Sequence, residues 1–192
     1  MKKAGISDRL AAHHGPDEAA QHAARTRHGR QLYLDCDGVL ADFDAGAVRL
    51  LGMGPGEFQE KFGAGRFWAR LAKAPDFYGS LPLMAGALEL FEAVRHLDPV
   101  ILTGLPRGNW AAGQKVRWVH QHFPGTRIIT VMAVDKRHHC QPGDVLVDDT
   151  LKHRQRWEDA GGIFVHHVDV ASTLAELRAV AWCSTEDMLK RL

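Results

Sequence analysis

Acidic side chains stand where two short apolar runs of the sequence end. Asp35 and Asp37 follow the first run with one residue between them, and the pair Asp148-Asp149 closes another. Aspartates next to buried segments are rare unless they are paired or bind a metal ion. Two carboxylates this close repel each other unless a cation lies between them or one of them keeps a proton. The first pair could therefore supply a nucleophile and a proton donor, and four carboxylates together would select Mg²⁺ over Zn²⁺.

Anion-binding groups follow two other apolar runs. Thr103-Gly104 ends one of them, and the hydroxyl and backbone N–H groups of such a turn can donate to phosphate oxygens. Lys136 follows another run and could bring a positive charge to the carboxylates or to a phosphate. Lys115 is a rival for that role, but its position within a helical pattern favours the protein surface.

The elements that carry these residues alternate along the chain. Five runs are short and rich in β-branched residues, which is typical of buried strands. They span residues 32–35, 100–103, 127–131, 145–148 and 163–166. Segments with helical spacing span residues 87–96, 111–123, 151–160 and 171–181. This alternation predicts an α/β fold, Rossmann-like, with a parallel five-stranded sheet and helices on both faces. Ligands bind at the carboxyl ends of such strands, so the polar residues should meet there.

Residues 44–82 interrupt this alternation of strands and helices. They contain no clear strand, but they carry scattered glycines and aromatic residues and are too long for a plain loop. We therefore predict a small helical cap at 44–82, inserted after the first strand into a core domain of residues 31–43 and 83–192. Residues 1–30 have few large apolar side chains, and we predict a flexible N-terminal extension there.

The composition excludes several classes of protein. With 45% hydrophobic and 24% charged residues, the 192-residue chain is typical of one globular domain rather than of a disordered protein. A net charge of +1 argues against a protein that coats nucleic acid polymers. No apolar run approaches the ~20 residues that span a bilayer, and the N-terminal segment lacks the apolar centre of a secretory signal. Three cysteines without a C-x-x-C pair favour a reducing, cytoplasmic setting.

Along the chain the four groups of polar residues follow the order Asp35-x-Asp37, Thr103, Lys136 and Asp148-Asp149. In this order they resemble the motifs of the haloacid dehalogenase superfamily of aspartate-nucleophile phosphatases. Within that superfamily, four segments resemble the 5′(3′)-deoxyribonucleotidase group: 35–43, 77–87, 115–119 and 144–149. The sequence departs from that group after Thr103, where Gly104-Leu105-Pro106 stands in place of the expected Ser-Pro. The segment before the last acidic pair is longer than expected, and the cap is shorter.

The resemblance implies a mechanism. Asp35 matches the aspartate that attacks phosphorus and forms an aspartyl-phosphate. Asp37 matches the residue that protonates the leaving oxygen and then activates water. The resemblance also implies that Mg²⁺ is held by Asp35, by the main-chain carbonyl of Asp37 and by the pair Asp148-Asp149. One member of that pair would bind the ion directly and the other through water.

The resemblance also assigns the contacts to the substrate. Thr103 and the backbone N–H of Gly104 would hold the phosphate, and Lys136 would orient the nucleophile and balance its charge. Phe43 follows Asp42, as the resemblance to the nucleotidase group implies for a ring at the base, and is a candidate to stack on a planar base. Further aromatic candidates in the cap are Phe67 and Trp68. For all three rings, packing within the cap is the alternative.

These features favour a Mg²⁺-dependent phosphomonoesterase for small phosphate esters, with (deoxy)nucleoside monophosphates among the candidates. A phosphomutase would retain Asp37 as well, so it stays an alternative, as does a phosphatase for another small phosphorylated metabolite. A phosphate-binding module without catalysis is the alternative outside the enzymes. We expect a small phosphomonoester as the partner, and neither a nucleic acid polymer nor a membrane. The sequence makes no prediction of the oligomeric state.

Overall fold

Five short parallel strands form one sheet at the centre of the fold. The structure is a computed structural model that describes residues 29–180. Its strands are β1 Leu32–Leu34, β2 Val100–Leu105, β3 Ile128–Met132, β4 Val145–Asp148 and β5 Ile163–His166. They lie in the order β3-β2-β1-β4-β5, and every strand pairing in this sheet is parallel. The predicted α/β fold with a parallel five-stranded sheet is confirmed.

Seven α-helices connect and flank these strands within residues 29–180. They are α1 Phe43–Leu51, α2 Pro55–Phe62, α3 Ala64–Lys73, α4 Ala87–Val94, α5 Ala112–His122, α6 Arg154–Asp159 and α7 Val170–Ala179. Short 3₁₀ turns span Tyr78–Ser80, Arg95–Leu97, Ala133–His139 and Leu151–His153. The four predicted helices are present with ends displaced by a few residues, and the one expected at 151–160 begins as a 3₁₀ turn. None of the helices in the described part is long and apolar enough to cross a membrane.

Both faces of the sheet are covered, because successive side chains of a strand point to opposite sides. Tyr33 packs on one face against Trp157 of α6, with ring centres 5.5 Å apart in an edge-to-face arrangement. Leu34 belongs to the larger cluster on the other face. Helices α4, α5 and α7 contribute Leu90, Trp118 and Leu177 to that cluster. Burying a side chain of this size contributes ~1.5–3 kcal/mol, so packing on two faces fixes the strand ends that carry the polar residues.

Helices α1 to α3 occupy the first part of the connection between β1 and β2, and α4 follows them before β2. Helix α1 begins after Asp42, whose carboxylate accepts a hydrogen bond from the N–H of Ala45 at 2.8 Å. It ends at Gly52, which has a φ of +74° and closes the helix in the left-handed conformation. The side chains of Phe58, Phe67 and Leu71 in the next two helices are buried.

The helical character of this connection agrees with the prediction for the region. The division into a core of residues 31–43 and 83–192 and a cap of residues 44–82 remains our proposal. The flexible extension predicted for residues 1–30 lies outside the described residues apart from its last two positions. The last twelve residues of the proposed core, 181–192, also lie outside them.

Strand β2 is longer than predicted. It continues to Leu105, and Gly104 pairs with Val131 of β3 inside the sheet. The prediction that Gly104 lies in a turn is therefore wrong. A Cβ atom at this position would lie 3.1 Å from the Cβ of Ala133, which is closer than most real contacts. The glycine thus lets β2 pass close to the segment that follows β3.

Candidate active site

The carboxyl ends of the strands surround one cavity of about 690 Å³. Strand β1 lies in the middle of the sheet, between β2 and β4. The residues that follow these three strands therefore meet at the cavity. The predicted site residues that line the cavity are Asp35, Asp37, Phe43, Gly104, Lys136, Asp148 and Asp149. Thr103 is fully buried beside them and is not part of the lining.

A tight turn after β1 places the first pair of aspartates. The N–H groups of Leu40 and Ala41 both donate to the carbonyl of Cys36 at 2.8 Å. Gly38 has a φ of +75°, a backbone conformation that favours glycine. A Cβ atom at Gly38 would also collide with the carboxylate of Asp149. The glycine therefore allows the acidic loops after β1 and β4 to approach each other.

Lys136 joins the carboxylates of two strands. Its side chain lies in the 3₁₀ turn after β3 and is almost fully buried. Its Nζ atom lies 2.9 Å from Oδ1 of Asp35 and 2.7 Å from Oδ2 of Asp148. Burial by itself lowers the pKa of Lys136, but the two carboxylates outweigh burial and raise it overall. The ammonium therefore keeps its charge and ties the end of β1 to the end of β4.

Three carboxylates are placed so that they could hold a metal ion. One oxygen each of Asp35, Asp148 and Asp149 lies within 4.8 Å of the others. Burial raises the pKa of Asp149 to about 6, and the charges of the other two aspartates add to the rise. Burial and the charge of Asp35 also raise the pKa of Asp148, which Lys136 partly offsets. The group offers only oxygen ligands and has more negative charge than one lysine neutralises, which fits a hard divalent cation such as Mg²⁺.

The carboxylate of Asp37 points instead toward helix α5. Its Oδ2 atom accepts a hydrogen bond from Nζ of Lys115 at 2.6 Å, and the same ammonium donates to Oγ1 of Thr103 at 2.9 Å. Nζ also lies 4.4 Å from the ring centre of Tyr78. Burial raises the pKa of Asp37, and the charge of Lys115 opposes this rise. Asp37 is not part of the group of three carboxylates, and its metal contact through the main-chain carbonyl stays a prediction.

The prediction that Lys115 lies at the surface is wrong, because its side chain is 1% exposed. Helix α5 buries the face that carries Lys115, Trp118 and Val119. These residues are three and four positions apart, which is the spacing of one helix face, and that spacing could have identified the lysine as inward-facing. A buried ammonium needs polar partners, and Asp37 and Thr103 provide them.

The predicted phosphate ligands on β2 lie next to this lysine. The hydroxyl of Thr103 accepts from Lys115, which leaves its own proton available to donate. Gly104, the next residue, lines the cavity. The contacts of both residues with a phosphate remain predictions.

Aromatic side chains form one wall of the cavity, which we call the aromatic wall: Phe43, Trp68 and Tyr78. The ring of Phe43 lies 6.3 Å from that of Trp68 and 6.2 Å from that of Tyr78, centre to centre. Phe43 and Trp68 are among the rings predicted from the sequence, whereas Tyr78 is not. Phe67 is 1% exposed and does not line the cavity, so the hypothesis that it stacks on a base is wrong. It packs instead among the helices of the connection.

Solved structures with similar folds include several hydrolases. A hydrolase from Streptococcus pneumoniae TIGR4 is 11% identical, with a TM-score of 0.48, and the match covers 78% of this chain and 98% of that one. A Had-superfamily hydrolase from Ehrlichia chaffeensis is 12% identical, with a TM-score of 0.46 and coverages of 78% and 96%. The L-2-haloacid dehalogenase from Xanthobacter autotrophicus is 16% identical, with a TM-score of 0.49 and coverages of 84% and 87%. A comparison with curated proteins finds no match.

A family of nucleotidases matches a large part of the sequence. The sequence model of the family described as 5′ nucleotidase, deoxy (Pyrimidine), cytosolic type C protein matches residues 58–192, well over half of the chain. The matched part includes Thr103, Lys136 and the second acidic pair, whereas Asp35 and Asp37 precede it. The match confirms the resemblance predicted from the sequence motifs. The chain therefore belongs to the 5′ nucleotidase, deoxy (pyrimidine), cytosolic type C family.

Proposed function

We propose that this protein is a Mg²⁺-dependent phosphomonoesterase that acts through an aspartyl-phosphate, with (deoxy)nucleoside monophosphates as its candidate substrates. The observation that carries the proposal is the setting of Asp35. Its carboxylate lies 2.9 Å from a buried lysine, groups with two further carboxylates and lines a cavity of about 690 Å³. Membership in a nucleotidase family supports a hydrolase and, within the hydrolases, a phosphatase.

Asp35 is the proposed nucleophile. Its Oδ1 atom accepts hydrogen bonds from the N–H of Cys36 at 2.8 Å and from Lys136, and these contacts fix the orientation of the carboxylate. In the proposed step a carboxylate oxygen of Asp35 attacks phosphorus, and the bond between phosphorus and the ester oxygen breaks. Cys36 is not a competing nucleophile, because it is 2% exposed and burial raises the pKa of its thiol far above the usual range.

Asp37 is the proposed acid and base. The leaving oxygen needs a proton when its bond to phosphorus breaks, and a carboxyl with a raised pKa holds one at a higher pH than usual. Once it has donated that proton, Asp37 can accept a proton from the water that attacks the aspartyl-phosphate. The products are then inorganic phosphate and the regenerated carboxylate of Asp35. Lys115 fixes the direction of Asp37 throughout, since it holds Oδ2 at 2.6 Å.

The cation would be held by Asp35, Asp148 and Asp149, which form the oxygen-only group of the site. When bound, Mg²⁺ offsets the negative charge that a phosphate and the carboxylates bring together. The chain itself contributes the charge of Lys136 and the backbone N–H groups near Gly104. A phosphate dianion would otherwise be repelled by Asp35, so these positive groups are needed before attack can occur.

The aromatic wall is the proposed contact for the base of a nucleotide. Trp68 is 39% exposed, and it lines the cavity together with Phe43. Stacking of a base on an aromatic ring contributes ~1–3 kcal/mol, and it tolerates different bases because each base has a planar face. The side chain of Met84 adds an apolar contact in the same cavity.

The test is a panel of phosphate esters assayed with Mg²⁺ and with a chelator instead. The panel contains the four deoxynucleoside monophosphates, p-nitrophenyl phosphate and several sugar phosphates. We expect release of phosphate that depends on Mg²⁺ and is lost in Asp35→Asn. Hydrolysis that survives this substitution would overturn the assignment of the nucleophile. If the protein hydrolysed sugar phosphates but no nucleotide, the phosphatase chemistry would stand and the assignment of nucleotides as substrates would be wrong.

We also retain the prediction of a cytoplasmic location. It rests on the odd number of cysteines in the sequence and on the lack of a C-x-x-C pair. Localisation of the tagged protein by cell fractionation would test it.

A further inference from the structure

The cavity has two chemically different walls on opposite sides of Asp35. The aromatic wall is joined to the β2 side, because Tyr78 stacks on Trp110, which follows β2, with ring centres 5.4 Å apart and planes at 30°. The lining on the other side comes from the segments after β4 and β5. Apart from Asp149 and Val168, it consists of polar and basic residues, which we call the basic wall: Thr150, Lys152, His153 and His167. A phosphate at Asp35 would therefore lie between a wall suited to a planar ring and a wall suited to an anion.

Two groups of the basic wall have no partner within the described part of the chain. Lys152 is exposed, lines the cavity and forms no ion pair with any residue of 29–180. The Nδ1 atom of His153 is inaccessible and has no hydrogen-bond partner there. Because His153 lines the cavity, a rotation of its ring that turned Nδ1 toward a ligand there would remove the cost of ~1–3 kcal/mol that a buried polar atom without a partner carries. His167, by contrast, is already bonded to Thr173 through Nδ1 at 2.8 Å.

The charges around His153 are positive. Burial lowers the pKa of His153, and the charges of three cations lower it further. These cations are Lys152, Arg156 and Lys136. The acidic residues on this side are already engaged: Asp149 belongs to the group of three carboxylates, and Asp169 caps helix α7 by accepting from the N–H of Ser172 at 2.8 Å. An anionic group next to Lys152 would therefore meet an ammonium that forms no ion pair with any residue of 29–180.

We propose that Lys152 and His153 form a subsite for a second anionic group of the substrate. This inference rests on the proposed function, and within that function it predicts a preference for phosphomonoesters that carry another phosphate or a carboxylate over monophosphates that lack one. The first phosphate lies at Asp35 and the second anion lies against the basic wall. A nucleoside bisphosphate would use both walls, whereas a small phosphorylated carboxylic acid would use the basic wall alone.

The test measures binding, so that it does not depend on turnover. Asp35→Asn is loaded with Mg²⁺, and the dissociation constants of four compounds are measured by calorimetry. Thymidine 3′,5′-bisphosphate is compared with thymidine 5′-monophosphate, and 2-phosphoglycolate is compared with ethyl phosphate. The first comparison detects a second phosphate and the second detects a carboxylate. We expect the doubly anionic member of at least one pair to bind about tenfold more tightly, as for one hydrogen bond to a charged group.

Variants then assign the preference to the basic wall. Adding Lys152→Met, or His153→Phe, should reduce the tenfold ratio to about twofold or less. The control is Lys73→Met, which removes an exposed lysine of α3 outside the cavity and should leave the ratio unchanged. Equal affinities within both pairs would overturn the subsite, and so would a ratio that survives both substitutions. A different result would contradict the proposed function, namely that the wild-type protein hydrolyses no phosphate ester.

Discussion

At the scale of single residues, two buried lysines give two neighbouring aspartates different surroundings. Lys136 holds Asp35 and connects it to β4, whereas Lys115 holds Asp37 and connects it to β2. Carboxylates so close in sequence would otherwise compete for one proton or one cation. Lys136 holds Asp35 within the cation group, whereas Asp37 lies outside it, and burial raises the pKa of Asp37 against the opposing charge of Lys115. This separation is what the proposed roles of nucleophile and acid require.

The first prediction concerns the nucleophile. Asp35→Asn keeps the size of the side chain but removes the attacking charge, so kcat for the best substrate of the panel should fall by roughly three orders of magnitude or more. Steady-state kinetics at saturating Mg²⁺ measure this. The matched control is Asp159→Asn at an exposed position of α6, where activity should stay within about twofold. Near-normal activity of Asp35→Asn would contradict the assignment.

The second prediction concerns Lys115. Its charge lowers the pKa of Asp37, so Lys115→Met should raise that pKa further. Asp37 must be protonated to serve the leaving group, so the fall of kcat/KM at high pH should move to a higher pH in the variant. The maximal rate should also drop, since Asp37 and Thr103 lose their shared partner. A pH profile of kcat/KM measures both effects, and an unshifted profile in a folded variant would show that Lys115 does not act on the acid.

At the scale of elements, the site depends on how closely the loops after β1 and β4 approach. Strands β1 and β4 are neighbours in the sheet and pair over three residues, so their carboxyl ends are level. The left-handed turn at Gly38 then brings its backbone against the carboxylate of Asp149. The geometry of the cation group is therefore set by backbone conformation as much as by the aspartates themselves.

This contact gives the third prediction, with a control from the same chain. Gly38 and Gly52 have nearly equal φ values, +75° and +74°, but a Cβ at Gly52 would meet nothing within 4 Å. Gly38→Ala and Gly52→Ala should both lose ~1 kcal/mol or more in the free energy of unfolding, because alanine is strained in this region. Only Gly38→Ala should raise the Mg²⁺ concentration needed for half-maximal activity, by roughly tenfold. Equal Mg²⁺ requirements in the two variants would contradict the role of the close approach.

The positions of the five strands could be predicted well from the sequence. Short apolar runs that end in Asp35, Thr103 and Asp148 are typical of buried strands and rarely occur in other elements. The sequence did not predict the end of β2, since Gly104 is a residue typical of turns and only the neighbouring Ala133 explains its place in the strand. It also misjudged Lys115. A lysine in a helix is usually solvated, and its burial depends on partners that come from other elements.

At the scale of the whole molecule, protons and a cation compete for the group of three carboxylates. Asp149 has an ordinary pKa near 3.8 and a folded pKa of about 6. The folded chain thus binds this proton more tightly than the unfolded chain, so protonation of Asp149 stabilises the fold at low pH. That contribution disappears as the pH rises through about 6. Above this pH the charged carboxylates repel each other, and a cation relieves the repulsion.

The fourth prediction follows from this linkage. Saturating Mg²⁺ should raise Tm more at about pH 7.5 than at about pH 5, because at the lower pH the proton already occupies Asp149. Thermal unfolding with and without Mg²⁺ at both pH values measures the difference. In Asp149→Asn the dependence on pH should be much smaller. An equal rise of Tm at both pH values in the wild-type protein would contradict the prediction.

The last prediction concerns how the cavity distinguishes substrates. Trp68 and Phe62 are exposed to nearly the same extent, 39% and 37%, but only Trp68 lines the cavity. Trp68→Ala should therefore raise KM for a deoxynucleoside monophosphate relative to KM for p-nitrophenyl phosphate by roughly fivefold or more, since a stacked base contributes ~1–3 kcal/mol. Phe62→Ala removes a comparable exposed ring and should leave this ratio unchanged. If Trp68→Ala and Phe62→Ala alter the two substrates in parallel, the aromatic wall only packs the connection between β1 and β2, and substrate selection must come from the other side of the cavity.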